Sequence, residues 1–422
     1  MSKLISSSVP RREFLCATGM AAMASFIPRM SFAYAQTDAR FVFIILRGAL
    51  DGLAAVAPYG DGNYQRVRGA LALPAPGATN GALKLDGLFA LNPALKNLHA
   101  YYQAKELLVL HAVASPYRER SHFDGQDLLE NGTTAPHGSL DGWLNRALLS
   151  MPAASKQSTE QLAVAFAQNL PLVLRGEQKV GSWAPSKLPD TDDDTLQRIA
   201  ALYASDEYFL SRLQTAVSTD AIASEGASEG GMSMTGNMNA VGQGQRNNSL
   251  APVVTAAGKM LKQDDGPRIA VMEATGWDTH ANQGAEQGQL FTRLDGLDKA
   301  IDTLRVAMGD VWKNTVVMVA TEFGRTVASN GTRGTDHGTA TCAFLVGGAV
   351  NGGKVIADWP GLASSNLYQG RDLQPTLDLR SVFKGVLATH MGVSESVLEN
   401  KVFANSQAAK PMLELVRKVS AS

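Results

Sequence analysis

An α/β fold, doubly wound around a mostly parallel sheet and carrying an inserted helical cap, follows from three features of this chain. Short apolar runs recur at 41–46 (FVFIIL), 107–113 (LLVLHAV), 268–273 (RIAVME), 315–321 (TVVMVAT) and 342–346 (CAFLV). Segments of helical periodicity lie between them, and buried strands alternating with helices pair in parallel through crossovers. The third feature is a gap of about 150 residues between the second and third runs, too long for one crossover, so a cap is expected at about 133–265.

Taken in order, the first run leads into RGALDGL, which sets Asp51 in a glycine-flanked turn. A helix is expected at about 91–105, opened by Asn92-Pro93, before the second strand. That strand leads to ASPYRERSHFDGQDLLENG at 114–132, where a helix begins near His122. Inside the cap, 192–216 is helical in pattern, while 224–249 is rich in Gly, Ser, Asn and Met and poor in large aliphatics, as a mobile loop would be. The clearest helix spans 287–310, where Leu290, Leu294, Leu297, Ile301, Leu304 and Met308 form one apolar stripe.

The N-terminus reads as an export signal. Arg11 and Arg12 precede the apolar ATGMAAMASFIP, and Ala33-Tyr34-Ala35 offers a cleavage site, so residues 1–35 are a twin-arginine signal and the mature chain starts near Gln36. The apolar run is shorter than the roughly 20 residues a membrane span needs. Periplasmic or exported protein with no span after cleavage is the expectation, and the export machinery is its first partner. Of 38 basic and 39 acidic residues, four and one lie in 1–35; 34 and 38 remain, a net charge of −4. No basic footprint for nucleic acid results. Cys16 leaves with the signal, so Cys342 has no partner for a disulfide and reads as a small buried hydrophobe.

Four acidic or imidazole clusters follow the strand-like runs. They are Asp51; the stretch ASPYRERSHFDGQDLLENG, with Ser121 before His122 and Arg118 and Arg120 beside it; the pair Asp278 and His280 in GWDTHANQ; and Glu322 in TEFGRT, followed by Asp336 and His337 in GTDHGTA. Parallel sheets put their working residues at strand C-terminal ends, so these clusters are expected to converge. Carboxylates with imidazoles and no thiolate suit zinc, manganese, magnesium or calcium. Ser121 either caps its helix or acts as a nucleophile, and Arg118 with Arg120 either clamps a tetrahedral anion or is plain solvated surface. His99, His111 and His390 fall inside expected helices or strands and read as structural; His137 is open.

The twin-arginine start, RGALDGL, RSHFDGQDLLENG, GWDTHANQ, TEFGRT, GTDHGTA and VGGAVNGGKV resemble the DUF1501 family of exported bacterial proteins. That family is similar to the alkaline phosphatase and sulfatase superfamily, and the resemblance implies an alkaline phosphatase-like fold over 36–422. It further implies Asp51, Asp278, His280, Glu322 and His337 as metal ligands, with Asp336 as a ligand or as a partner orienting His337, and Ser121 as nucleophile. The superfamily's Asp-His pair falls on Glu322 and Phe323, and Phe323 cannot bind metal; one good ion site rather than two is therefore expected. Two functions compete: a hydrolase of small anionic phosphate or sulfate esters, and a non-catalytic protein that binds an envelope component on the same fold. An oxidoreductase has neither a G-x-G-x-x-G after a strand nor a cysteine cluster to support it.

Overall fold

The computed structural model describes residues 38–151, 162–185, 193–206, 209, 210, 213, 217 and 250–417. The signal at 1–35, with Cys16, and the loop expected at 224–249 lie outside the described residues. The chain divides into two compact units. The smaller takes in 186–232, and its described residues include the helix Asp193–Tyr203.

The larger unit opens with β1 (Arg40–Arg47), a short helix α1 (Gly52–Ala55), β2 (Val56–Ala57), α2 (Tyr64–Arg68), β3 (Leu83–Lys84), β4 (Ala90–Leu91), α3 (Lys96–Gln103) and β5 (Leu107–Ala114). It continues through α4 (His122–Asn131), α5 (Trp143–Leu148), β6 (Ala163–Phe166) and β7 (Gly181–Ser182). Beyond α6, the Asp193–Tyr203 helix of the smaller unit, follow α7 (Ala251–Lys262), β8 (Ile269–Thr275), α8 (Gln289–Met308), β9 (Thr315–Thr321), β10 (Thr341–Val346), β11 (Lys354–Ile356), β12 (Leu377–Asp378) and α9 (Leu379–Thr389). All five expected strands are present.

They join a nine-stranded sheet in the order β11-β5-β10-β9-β1-β8-β6-β7, with β12 also on β5; β2, β4 and β3 make a small sheet apart. β1 pairs in parallel with both β8 and β9, and its six central residues are buried whichever face they point to, as a strand covered on both sides requires. Phe41, Phe43 and Ile45 pack on one face with Val316, Met318, Trp143 and Phe383. This is a doubly wound α/β fold.

β10 departs from the expected direction: it runs antiparallel to both β9 and β5. Residues 322–340 contain no helix, so the chain cannot cross over the sheet and must return at the edge where β9 ends. That reversal brings the end of β9 and the start of β10 to one place.

The expected cap is only partly separate. β6, at 163–166, pairs in parallel with β8, so part of 133–265 belongs to the main sheet. The stripe on α8 is buried as expected, and α8 packs against α7 and α3. The helix expected at 91–105 begins later, at Lys96, because Ala90 and Leu91 are drawn into the small sheet. Its start is capped from another helix: Asp298 of α8 accepts from the backbone N–H groups of Asn97 at 3.0 Å and Leu98 at 2.8 Å.

Candidate metal centre

The C-terminal ends of β1, β8 and β9, the loop after β5 and the approach to β10 meet at one edge of the sheet. At the end of β1, Gly48 has φ +122°, and a Cβ there would lie 2.5 Å from the backbone nitrogen of Asp278. Only glycine allows the β1 turn and the β8 loop to approach so closely. Past β9 and β10 the antiparallel pairing continues: Gly338 donates to Gly324 at 2.8 Å and Thr326 to Asp336 at 2.9 Å, which lays His337 beside Arg325.

His337 turns its Nε2 atom toward the Nε2 atoms of both His280 and His122. His337 Nε2 lies 2.9 Å from His280 Nε2 and 3.0 Å from His122 Nε2. Asp278 adds a carboxylate, with oxygens 3.0 Å from His280 Nε2, 3.4 Å from His337 Nε2 and 3.5 Å from His122 Nε2. His122, Asp278 and His337 form the group with metal-ligand spacing among the described residues. Nitrogen ligands held at about 2.0–2.1 Å in a tetrahedron sit about 3.3 Å apart, within the range seen here.

The opposite ring nitrogens explain the arrangement. His122 Nδ1 lies 2.8 Å from Glu322, His337 Nδ1 2.8 Å from the Arg120 carbonyl, and His280 Nδ1 3.3 Å from Asp336. Each of these partners accepts, so each Nδ1 carries its ring hydrogen, and in a neutral ring Nε2 presents a lone pair. Imidazole nitrogens held this close to His337 Nε2 repel it unless a cation or proton stands between them. Three carboxylates, Asp278, Glu322 and Asp336, surround the rings against two guanidiniums, Arg325 on Asp278 and Arg371 acting on Asp336, leaving one negative charge unmatched by a guanidinium. The residues present therefore fit a divalent ion.

Titration of these groups agrees with their contacts. The bond to Glu322 raises His122 above the usual imidazole range, whereas burial lowers His337. Burial pushes Glu322 up, but bonds from His122, Thr321 and Gln126 outweigh it and hold the carboxyl low. For Asp278, burial is likewise outweighed by the bond and charge of Arg325, which lies at 2.5 Å.

The family model described as "Protein of unknown function (DUF1501)" matches residues 106–402. The chain belongs to that family. No curated protein matches it. Among solved structures, the PsFucS1 sulfatase from Pseudoalteromonas sp. is similar over 97% of this chain and 77% of its own, at 13% identity and a TM-score of 0.39. A phosphonate monoester hydrolase of Agrobacterium radiobacter is similar over 84% and 74%, at 10% identity and a TM-score of 0.36. The C-terminal periplasmic domain of EcEptC from Escherichia coli, in complex with Zn, is similar over 75% and 74%, at 9% identity and a TM-score of 0.35.

In this DUF1501 protein the expected site residues separate into three groups. Asp278, His280 and His337 converge, joined by His122, the first residue of α4, which sequence reading had marked as the start of a helix. Its signal was present, an imidazole at a helix start directly after Ser121. Glu322 and Asp336 stand behind the rings: the first orients His122, and the second orients His280 rather than His337. Asp51, Arg118 and Arg120 are engaged elsewhere. The Asp51 carboxylate caps α1 through Leu53 and Ala54, pairs with buried Arg68 and accepts from Gln283 at 2.6 Å. Arg118 folds back on the carbonyls of Ser115 and Tyr117, and Arg120 pairs with Asp372 at 2.8 Å and with Gln369, so the expected anion clamp is absent from that pair. Arg120 contributes through its backbone instead, with φ +62° aiming its carbonyl at His337. Ser121 precedes α4, yet its side chain makes no cap bond.

The remaining histidines are structural. His111 and His390 are buried, bonded to the carbonyls of Val56 and Arg40, and burial lowers each to about 4. His137 is exposed, 3.7 Å from both Asp124 and Asp127.

Phe323 takes a packing role. Buried with Ala49, Tyr117 and Leu128, it stacks on His122 at 5.0 Å and lies 5.4 Å from the His337 ring, fixing both planes. Gly125 makes room for it, since a Cβ there would lie 2.9 Å from Phe323 Cδ1 and 3.3 Å from Glu322 Cβ. Gly125→Ala adds about 1 kcal/mol of helix propensity but overpacks a wall that cannot retreat, at about 1–3 kcal/mol. Thermal unfolding should show net destabilisation, and zinc titration a weaker site; an unchanged protein on both counts would refute the packing role of Phe323.

Proposed function

We propose that this protein is an exported metalloprotein that acts on small phosphate or sulfate esters. His122, His280, His337 and Asp278 hold its divalent ion, and Ser121 is the nucleophile. The observation that carries this reading is the convergence of His122 and His280 Nε2 on His337 Nε2 beside the Asp278 carboxylate. Three imidazoles with one carboxylate favour zinc, with manganese second, over magnesium and calcium, which prefer all-oxygen surroundings. When bound, such an ion polarises an ester oxygen and lowers the pKa of a hydroxyl or water. The chain's own residues prepare for this: Glu322, Asp336 and the Arg120 carbonyl orient the rings, and Arg325 holds Asp278. Ser121 lies between Arg120 and His122, with a hydroxyl unused by the helix cap. Twin-arginine export to the periplasm belongs to the same proposal; no helix among the described residues is long and apolar enough to cross a membrane.

The second reading, a non-catalytic protein that binds an envelope component, is favoured by one observation. Arg118 and Arg120 are both tied to protein partners, so neither stands ready to clamp an anionic ester. Metal content and turnover over a panel of phosphate and sulfate esters, in wild type and Ser121→Ala, separate the readings. The first expects stoichiometric ion in both proteins and turnover in wild type alone. Bound ion with no turnover in wild type supports the second, and equal turnover in both proteins removes Ser121 from the chemistry.

A further inference from the structure

The geometry points to Gln126 as a positioning residue that selects the metal-binding tautomer of His122. Gln126 lies one helical turn beyond His122 on the same face of α4. Its Oε1 is 3.2 Å from Arg47 Nη1, and its Nε2 is 3.1 Å from Glu322 Oε1. An arginine can only donate and a carboxylate can only accept, so one orientation of the amide satisfies both ends. Arg47 is itself fixed at the end of β1, paired with Glu130 at 2.8 Å and with Glu273.

The consequence runs inward. Glu322 is fully buried, and its Oε1 receives hydrogens from Gln126 Nε2, from the Gly48 backbone at 2.9 Å and from His122 Nδ1 at 2.8 Å. Thr321 Oγ1 lies 2.7 Å from the other oxygen and 2.7 Å from the Leu46 carbonyl, with one hydrogen between the two. With two other N–H groups already donating to Oε1, that oxygen works as an acceptor, and the hydrogen on His122 sits on Nδ1. Nε2 is thereby left bare for the ion. A partly buried ionic cluster at Arg47 thus sets, through one neutral amide, which nitrogen of His122 is free.

Gln126→Glu keeps an acceptor for Arg47 but places oxygen against oxygen at Glu322. The hydrogen that must then stand between the two carboxylates competes with His122 Nδ1–H for the same oxygen. Gln126→Met keeps the length of the side chain and removes both bonds, leaving Glu322 an acceptor. The affinity part of this inference rests on the metal centre proposed above, whereas the tautomer part does not.

The test uses full-length mature protein labelled with ¹⁵N-histidine. With chelator present, imidazole nitrogen shifts read the tautomer; after chelator removal, zinc competition titration reads affinity. Gln126→Glu should move His122 away from the Nδ1–H form and weaken zinc about 10–100-fold, and Gln126→Met should do the same to a smaller, measurable extent. A side chain that only packs would affect stability without changing the tautomer. His122 remaining wholly Nδ1–H in Gln126→Glu overturns the inference, as does a larger tautomer change in Gln126→Met. If wild type binds no zinc, the metal reading fails, and the nitrogen shifts of the zinc-free protein still decide the role of Gln126.

Discussion

Replacing His337 by alanine is expected to leave the purified protein without its ion. His337 Nε2 is the hub of the cluster, within 3.4 Å of His122, His280 and Asp278. Structural zinc sites bind with about 10–16 kcal/mol, so one ligand in four accounts for about 3 kcal/mol, or at least about 100-fold in affinity. The loss should exceed this share, because the two remaining imidazoles also lose the ring that Phe323 and the Arg120 carbonyl hold in place. Elemental analysis after dialysis, followed by zinc competition titration, measures it. His99→Ala is the control, since His99 is half-buried and bonded to the Lys84 carbonyl and Gln103, away from the cluster. Retention of stoichiometric ion by His337→Ala would remove the metal centre as described.

Asp51→Ala is expected to act on the fold instead of the ion. The Asp51 carboxylate and the Arg68 guanidinium are both buried, and the same carboxylate supports the α1 cap and the Gln283 amide. Removing it leaves a charged arginine inside the protein, with only the carbonyls of Thr326 and Val327 as acceptors. Loss of one partner from a buried pair costs about 3–5 kcal/mol, far above the cost of an exposed bridge. Urea unfolding should show a loss of that size, while the folded fraction keeps its ion. Asp51→Asn, which keeps the size and some of the bonds, provides the reading if the alanine variant does not fold. Loss of ion without loss of stability would restore Asp51 as a ligand.

The parts of the site legible in the sequence were local ones. Asp278 and His280 stand two apart after a strand, and His337 follows a second strand through a glycine-rich turn; strand ends converge in any sheet of this class, so their meeting could be anticipated. The roles of Glu322 and Asp336 could not be. A carboxylate that touches an ion and one that stands behind an imidazole look identical in sequence, and only the placement of His122 and His280 separates them. Arg118 and Arg120 show the same limit, because their partners Ser115, Tyr117, Gln369 and Asp372 decide whether a guanidinium is free. Asp51 was expected as a metal ligand in its glycine-flanked turn and is instead buried in an ion pair, because Arg68, 17 residues on, supplies a matching charge.

By itself the sequence determined the strands, the stripe of α8, the family and the residue types gathered at one edge, since apolar runs and periodicity respond to nearest neighbours along the chain. Tertiary structure alone decided that β10 runs backward, that Asp298 caps a distant helix, and that His122 joins the cluster while Asp51 leaves it. Those outcomes depend on hydrogen bonds and charges between segments up to hundreds of residues apart. Whether a polar group is a ligand, a support or a buried ion pair is set by the partner that folding brings to it.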